Sequence, residues 1–220
     1  MERAAEALVD AGAVQIRPDD PFQLASGRLS PVYVDVRRVL SFPEPRRAVI
    51  EGLVQAARDE IGLGAFDVVA GGETAGIPFA SFLAVELDAP LVYVRKTPKG
   101  YGRGRQIEGH LEAGARVLLV EDLVTDGGSK LAFQRGVLDA GAWIDRCLCV
   151  VEYASEQAGL QEARANLRSH GLELSSLTNW DELLEVLRAR RLISSEAHEA
   201  VLKFLGDPDG YRRSSSSATS

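Results

Sequence analysis

Residues 117–129 (VLLVEDLVTDGGS) change character three times in thirteen positions, and those changes limit the fold more than anything else in the chain. An unbroken apolar run ends in two acids, Glu121 and Asp122. A short loop with Thr125, Asp126, Gly127, Gly128 and Ser129 follows, and then apolar residues at helical spacing. A strand apolar on both faces does not suit an antiparallel sheet with one face in water; it belongs in a parallel sheet covered by helices on both sides. Three further runs read the same way: 67–70 (DVVA), 90–95 (PLVYVR) and 146–151 (RCLCVV), with the first apolar run spanning 116–120. Between them lie helix-like stretches at 77–87 and 129–140, the second followed by Gly141, which suits a C-terminal cap. Strands alternating with helices predict an α/β fold with an open, mainly parallel sheet flanked by helices.

The 220 residues, 45% of them hydrophobic, suffice for one substantial core, and we expect a single domain over 1–213. Within it, 1–42 read as a small N-terminal hood, 43–153 as the core and 154–213 as C-terminal helical elements. Residues 22–35 read as a turn-rich segment leading into a strand, 45–60 as an amphipathic helix, and 156–169, 180–190 and 195–205 as further helices. Residues 214–220 (SSSSATS) have the low complexity of a disordered tail. Apolar runs such as 117–120 and 147–151 fall far short of the ~20 residues of a membrane helix. The first ten residues, MERAAEALVD, show neither a secretory nor a transit pattern, so a cytoplasmic location is expected. Cys147 and Cys149 would share one face of a strand without the geometry to bridge, and read as buried free thiols. A formal net charge of -7 argues against nucleic acid as a general partner but leaves room for a local basic patch, which 95–105 supplies.

The chemistry of 117–129 follows from its parts. Glycines allow close backbone approach, and the first N–H groups of a helix favour an anion, so the loop suits a phosphate monoester. Thr125 and Ser129 add hydroxyl donors. Two carboxylates just before it repel phosphate but accept hydrogen bonds, which suits the vicinal hydroxyls of a ribose. A hairpin at Asp126 and Gly127 is the competing reading, and the helical spacing that follows counts against it. Gly128-Ser129-Lys130 lacks the full P-loop pattern, and the GYGRG at 100–104 precedes charged loop residues rather than a helix. Residues 94–109 (VRKTPKGYGRGRQIEG) combine cations and glycine directly after a strand, as a loop closing over a highly charged anion would.

VLLVEDLVTDGGS resembles the signature of the type I phosphoribosyltransferases, and Asp126, which departs from it, reads as a helix N-cap pointing away from the phosphate. The cationic loop is similar to the catalytic loop of orotate phosphoribosyltransferases, where the partner subunit's loop completes the site; the resemblance therefore implies a homodimer. It implies that Arg95, Lys96 and Lys99 contact pyrophosphate, with Tyr101 at a position often histidine. Residues 22–27 and 30–33 resemble the segment covering the base, which puts Ser26, Gly27 and Arg28 at the substrate and Tyr33 stacked on orotate. Residues 71–78 (GGETAGIP) resemble the pyrophosphate loop, which implies substrate contacts from Glu73 and Thr74.

The implied reaction joins orotate to phosphoribosyl pyrophosphate with Mg²⁺ held mainly through the donor's oxygens, as a hard ion that keeps waters would be. His110, His170 and His198 are too scattered to form a metal cluster. Ala25 and Ala75 stand where some family members carry lysine, and 152–156 (EYASE) lacks an arginine for the orotate carboxylate. Arg28 is a candidate substitute, and Thr125 a second donor to the base. These departures leave two other readings open: transfer to a purine or nicotinate, and a non-catalytic regulator that senses the same donor and contacts nucleic acid through Arg103 and Arg105.

Overall fold

The computed structural model describes residues 2–23, 29–97, 106–208, 210 and 211. Ala25, Ser26, Gly27, Arg28, Lys99, Tyr101, Arg103, Arg105 and the tail 214–220 lie outside the described residues.

Helix α1 (Glu2–Asp10) precedes four short strands, β1 (Val14–Ile16), β2 (Phe22–Gln23), β3 (Leu29–Ser30) and β4 (Val32–Val34). These pair antiparallel as two ribbons, β1 with β4 and β2 with β3. A 3-10 helix at Val36–Ser41 leads into α2 (Pro43–Ala56), which begins two residues before the expected 45 because Pro43, with its preset φ and missing N–H, occupies the first helical turn. Then follow β5 (Val68–Gly72), α3 (Gly76–Leu87), β6 (Leu91–Val94), β7 (Ile107–Glu108), β8 (Arg116–Val124), α4 (Gly128–Asp139), β9 (Trp143–Glu152), α5 (Glu162–Ser169), β10 (Glu173–Thr178), α6 (Trp180–Ala189) and α7 (Ser195–Gly206).

The central sheet has the order β10-β9-β8-β5-β6-β7, parallel throughout except for β7 at one edge. Its strands alternate their side chains between two apolar layers, as period-two geometry requires. Val69, Leu118, Val120, Leu148 and Val150 face a layer with Leu8, Leu53, Phe79, Leu83, Trp180 and Phe204 from α1, α2, α3, α6 and α7. Ala70, Val92, Val94, Leu119, Cys147 and Cys149 face the other, with Phe133 and Val137 of α4 and Leu167 of α5. Fully burying a side chain such as Phe133 contributes about 1.5–3 kcal/mol relative to leaving it exposed. Both cysteines are free and buried on that second face, and burial pushes the Cys147 thiol up to about 12.

Two expectations need correction and one element is added. The strand expected to stop at 120 runs to Val124, because Glu121, Leu123 and Val124 stay in register with Cys149, Val151 and Glu152 of β9. The helix expected from 156 begins only at Glu162. The residues before it close a small turn, with mutual backbone bonds of 3.0 and 2.8 Å between Ser155 and Leu160, and Asp181 accepts the Glu156 N–H at 2.7 Å. Strand β10 is the addition; its sequence ELSSLT alternates too weakly to announce a strand, yet it pairs parallel to β9 along the sheet edge. No helix among the described residues is long and apolar enough to cross a membrane.

Candidate active site

The site lies along the rim where the parallel strands end, the usual ligand position in open α/β sheets. Three turns converge there: 73–75 between β5 and α3, the start of the segment after β6, and 125–127 between β8 and α4.

The last turn is the one expected to receive a phosphate. Gly127 has φ +83°, a conformation L side chains rarely adopt, and a methyl group there would lie 2.9 Å from Leu167, so glycine is required twice over. Gly127, not Asp126, is the N-cap of α4, which corrects the expected cap. Asp126 instead turns its Oδ1 back to accept the Gly128 N–H at 2.9 Å, while its carbonyl accepts the Asn166 side-chain amide at 2.7 Å. Thr125, Asp126, Gly128 and Ser129 are exposed, and Gly127 is buried beneath them.

The acidic pair is divided. Asp122 is half-buried, and burial raises its carboxyl above the ordinary range against the pull of its hydrogen bond from the Leu123 N–H. Glu121 points into the protein, with a side chain only 6% exposed, and its Oε2 lies 2.7 Å from the Nζ of Lys130. Burial pushes the Glu121 carboxyl up, and Lys130 opposes that shift. Burial pulls the Lys130 ammonium's pKa down, but the Glu121 charge and hydrogen bond outweigh it and raise it above the ordinary value. Of the two carboxylates expected to face a ribose, only Asp122 reaches the surface of the rim, while Glu121 is committed to an internal ion pair.

At 71–76 the backbone approaches β8 closely. A methyl group on Gly72 would lie 2.2 Å from Glu121 Oε1, and one on Gly76 would lie 2.3 Å from the Val120 carbonyl oxygen. Thr74 is exposed and Glu73 half-buried, with a cis peptide between them. The Glu73 side chain accepts the Lys96 backbone N–H at 2.8 Å, so it ties this turn to the root of the cationic segment. Lys96 is exposed there, whereas Arg95 reaches back to Glu108 on β7 at 3.7 Å. Tyr33 on β4 is 37% exposed, its ring centroid 5.6 Å from that of Phe22. Arg37, just beyond it, donates to Asp35 at 2.9 Å, and its raised pKa reflects that bond first and Asp122 more weakly.

Two groups at this rim escaped the sequence reading. Glu152, at the end of β9, is 3% exposed and is held by Arg164 of α5 and by the Ser176 hydroxyl at 3.1 Å. Lys130 belongs to an incomplete P-loop pattern and has no role in the sequence expectations. Its spacing with Phe133, Gln134 and Val137 puts it on the inward face of α4, and that pattern is the signal that finds it.

The chain matches the phosphoribosyl transferase domain over residues 44–165. It is 47% identical over 212 residues to an orotate phosphoribosyltransferase of Jannaschia sp. (strain CCS1), covering 94% of this chain and 90% of that protein. Among solved structures, the orotate phosphoribosyltransferase of Aeropyrum pernix superposes with a TM-score of 0.69 at 29% identity, covering 84% of this chain and 99% of the other. UMP synthase of Leishmania donovani superposes with a TM-score of 0.78 at 29% identity over 93% of this chain, which spans only 42% of that longer protein. A domain match over more than half the chain and close identity along nearly its whole length agree with the glycine-built rim, and the chain belongs to the orotate phosphoribosyltransferase family.

Proposed function

We propose that this chain transfers the 5-phosphoribosyl group from phosphoribosyl pyrophosphate to orotate, giving orotidine 5′-monophosphate and pyrophosphate for pyrimidine synthesis. The observation that carries the reading is the turn after β8, where exposed hydroxyls and a positive-φ glycine at a helix start follow directly on the half-buried Asp122. The 5′-phosphate is received by 125–129, with Thr125 and Ser129 donating. Asp122 accepts from the ribose hydroxyls, and Glu121 stands behind it.

The reaction forms a bond from N1 of orotate to C1′ and breaks the bond from C1′ to the pyrophosphate oxygen, with inversion and without a covalent nucleophile. As that bond breaks, negative charge grows on pyrophosphate, and preorganised donors there lower the barrier most. We assign that role to the backbone of 71–74 and to Lys96 and Arg95, with Lys99 and Tyr101 contributed by the cationic loop of a second copy in a homodimer. Arg95 must release Glu108 to reach the leaving group. Tyr33 stacks on the base, with Ser26, Gly27 and Arg28 beside it. Among the described residues no three His, Cys, Asp or Glu side chains gather as a metal site. Mg²⁺ would be carried in on the oxygens of phosphoribosyl pyrophosphate, where it would neutralise charge on the leaving group. The reading places the enzyme in the cytoplasm as one domain over 1–213.

The test is a parallel assay with Mg²⁺, phosphoribosyl pyrophosphate and one base at a time: orotate, hypoxanthine, adenine or nicotinate. Orotate should be consumed and the other three left. Faster loss of another base would reassign the acceptor, and loss of none would overturn the catalytic reading.

A further inference from the structure

Lys130 is the one buried cation among the described residues, and nothing in the reaction above uses it. An ammonium group in an apolar layer is costly unless each of its hydrogens is accepted. Here they are. Nζ donates to Glu121 Oε2 at 2.7 Å, to the Leu123 carbonyl at 2.6 Å and to Ser129 Oγ at 3.2 Å.

The third bond has a directional consequence. Ammonium has no acceptor, so in that contact the Ser129 oxygen can only accept, and its own hydrogen is left to point elsewhere. Ser129 is exposed at the mouth of the 125–129 turn, so the available direction is outward. Accepting from a charged donor also makes the hydroxyl a stronger donor in turn. The first bond acts on charge, because it cancels one of the two carboxylates next to the place where a phosphate dianion would sit. The second pins the carbonyl between Asp122 and Val124 and so fixes the end of β8. On its far side Glu121 presents Oε1, buried and without a hydrogen-bond partner among the described residues, to Gly72 and Gly76. One ion pair thus sits against the turns on both sides of it.

We propose that Lys130 is a positioning residue for the phosphoribosyl donor: it holds Ser129 as an outward hydrogen-bond donor and neutralises Glu121, so that the 125–129 turn receives the 5′-phosphate. The inference rests on the reading of that turn as the phosphate site. It assigns Lys130 no contact with substrate; its effect passes through Ser129, Leu123 and Glu121.

The experiment measures binding of phosphoribosyl pyrophosphate with Mg²⁺ by calorimetry, and KM for both substrates, in the wild type, Lys130→Met, Ser129→Ala and the double variant. Lys130→Met should weaken donor binding by about tenfold, one charge-assisted hydrogen bond, while KM for orotate stays within about twofold. Ser129→Ala should weaken it similarly, and the double variant should be no worse than the poorer single, since both remove one donor. Wild-type protein that binds no donor sinks the functional reading. Wild type that binds, beside a Lys130→Met protein that binds equally well, sinks this proposal, as do single effects that multiply in the double variant. A purely structural lysine would lower the melting temperature and leave the affinity of the folded protein alone. Should Lys130→Met fail to fold, Lys130→Met in a Glu121→Gln background removes the stranded carboxylate, and its donor affinity is compared with Glu121→Gln alone: a further loss supports the proposal and equality overturns it.

Discussion

The two rims of the central sheet are both rich in glycine, but the glycines meet different surroundings. Where the parallel strands end, methyl groups on Gly71, Gly72 and Gly76 would lie 2.6 Å from Ile77 Cα, 2.2 Å from Glu121 Oε1 and 2.3 Å from the Val120 oxygen. None of the three has a positive φ. Where the strands begin, Gly62, Gly64 and Gly114 have nothing within 4 Å of that position, and Gly62 and Gly114 adopt φ of +87° and +81°. At the site rim these three glycines let chain segments touch, and Gly127 both touches Leu167 and turns the chain; at the far rim Gly62 and Gly114 turn the chain and touch nothing. The charges divide in the same way. Glu121 and Lys130 are 6% and 7% exposed at the site rim, whereas Asp67 and Arg116 at the opposite rim are 45% and 48% exposed. A ligand site needs backbone brought close and charge held without water, and both cost stability that the far rim does not spend.

The largest effect should come from Gly72→Ala. The added methyl group would meet Glu121 Oε1 at 2.2 Å and the Phe133 ring at 2.6 Å, neither of which is a free surface side chain. Overpacking of this kind destabilises by about 1–3 kcal/mol. Moving Glu121 would also disturb Lys130 and the 125–129 turn, so activity should fall further than stability explains. Denaturant unfolding and the orotate assay on one preparation check both. A variant with unchanged stability and turnover would remove the close-contact account of this rim.

Much of this rim was legible before any coordinates. The strand, acids, glycines and helix of 117–129 occur in chain order, and local order is what a single sequence displays. Continuous apolarity within 67–70, 90–95 and 146–151 likewise announces strands buried on both faces. The direction of Glu121 was not legible, because Glu121 and Asp122 are adjacent and look alike; which one turns inward depends on Lys130, nine positions on. Nor was β10, whose two central serines, Ser175 and Ser176, interrupt the apolar pattern and whose partners on β9 lie almost thirty residues away. The Glu152 and Arg164 pair is hidden for the same reason, since the arginine belongs to a helix that pairing across the sheet brings near.

At the far rim, Asp67→Asn tests the charge half of the comparison. Asp67 accepts from Arg116 at Oδ1 (2.5 Å) and, at Oδ2, from the Arg116 backbone N–H (2.9 Å) and Nε (3.0 Å). The Arg116 side-chain bond, then its backbone bond, hold the Asp67 carboxyl down at about 2, below its ordinary 3.8. A carboxylate with a folded-state pKa below its unfolded value stabilises the fold above the unfolded value, and that contribution is lost as pH falls through the folded one. The variant should therefore melt slightly below wild type at neutral pH, and the two should converge as pH drops from about 4 toward 2. Solvent screening keeps the gap small, and added salt should narrow it. Turnover should not change, since the pair lies at the opposite end of the strands. A gap as large as that of a buried ion pair, or one that widens in acid, would show the rims to be less different than their exposures indicate.

Gly64→Ala should have the smallest effect. Gly64 lies in the 3-10 turn Leu63–Ala65, has no positive φ and leaves its Cβ direction open. Its carbonyl accepts from Arg116, a bond that alanine keeps. The folded state therefore loses nothing, while the unfolded chain loses part of glycine's freedom, so the variant should be unchanged or more stable by about 0.4–1 kcal/mol. Gly62→Ala is its control: the space is equally open, but φ is +87°, so strain alone should make that variant less stable than Gly64→Ala. Equal melting temperatures would mean that turn geometry does not constrain this rim. A Gly64→Ala loss as large as that of Gly72→Ala would mean that contact constrains it as tightly as at the site.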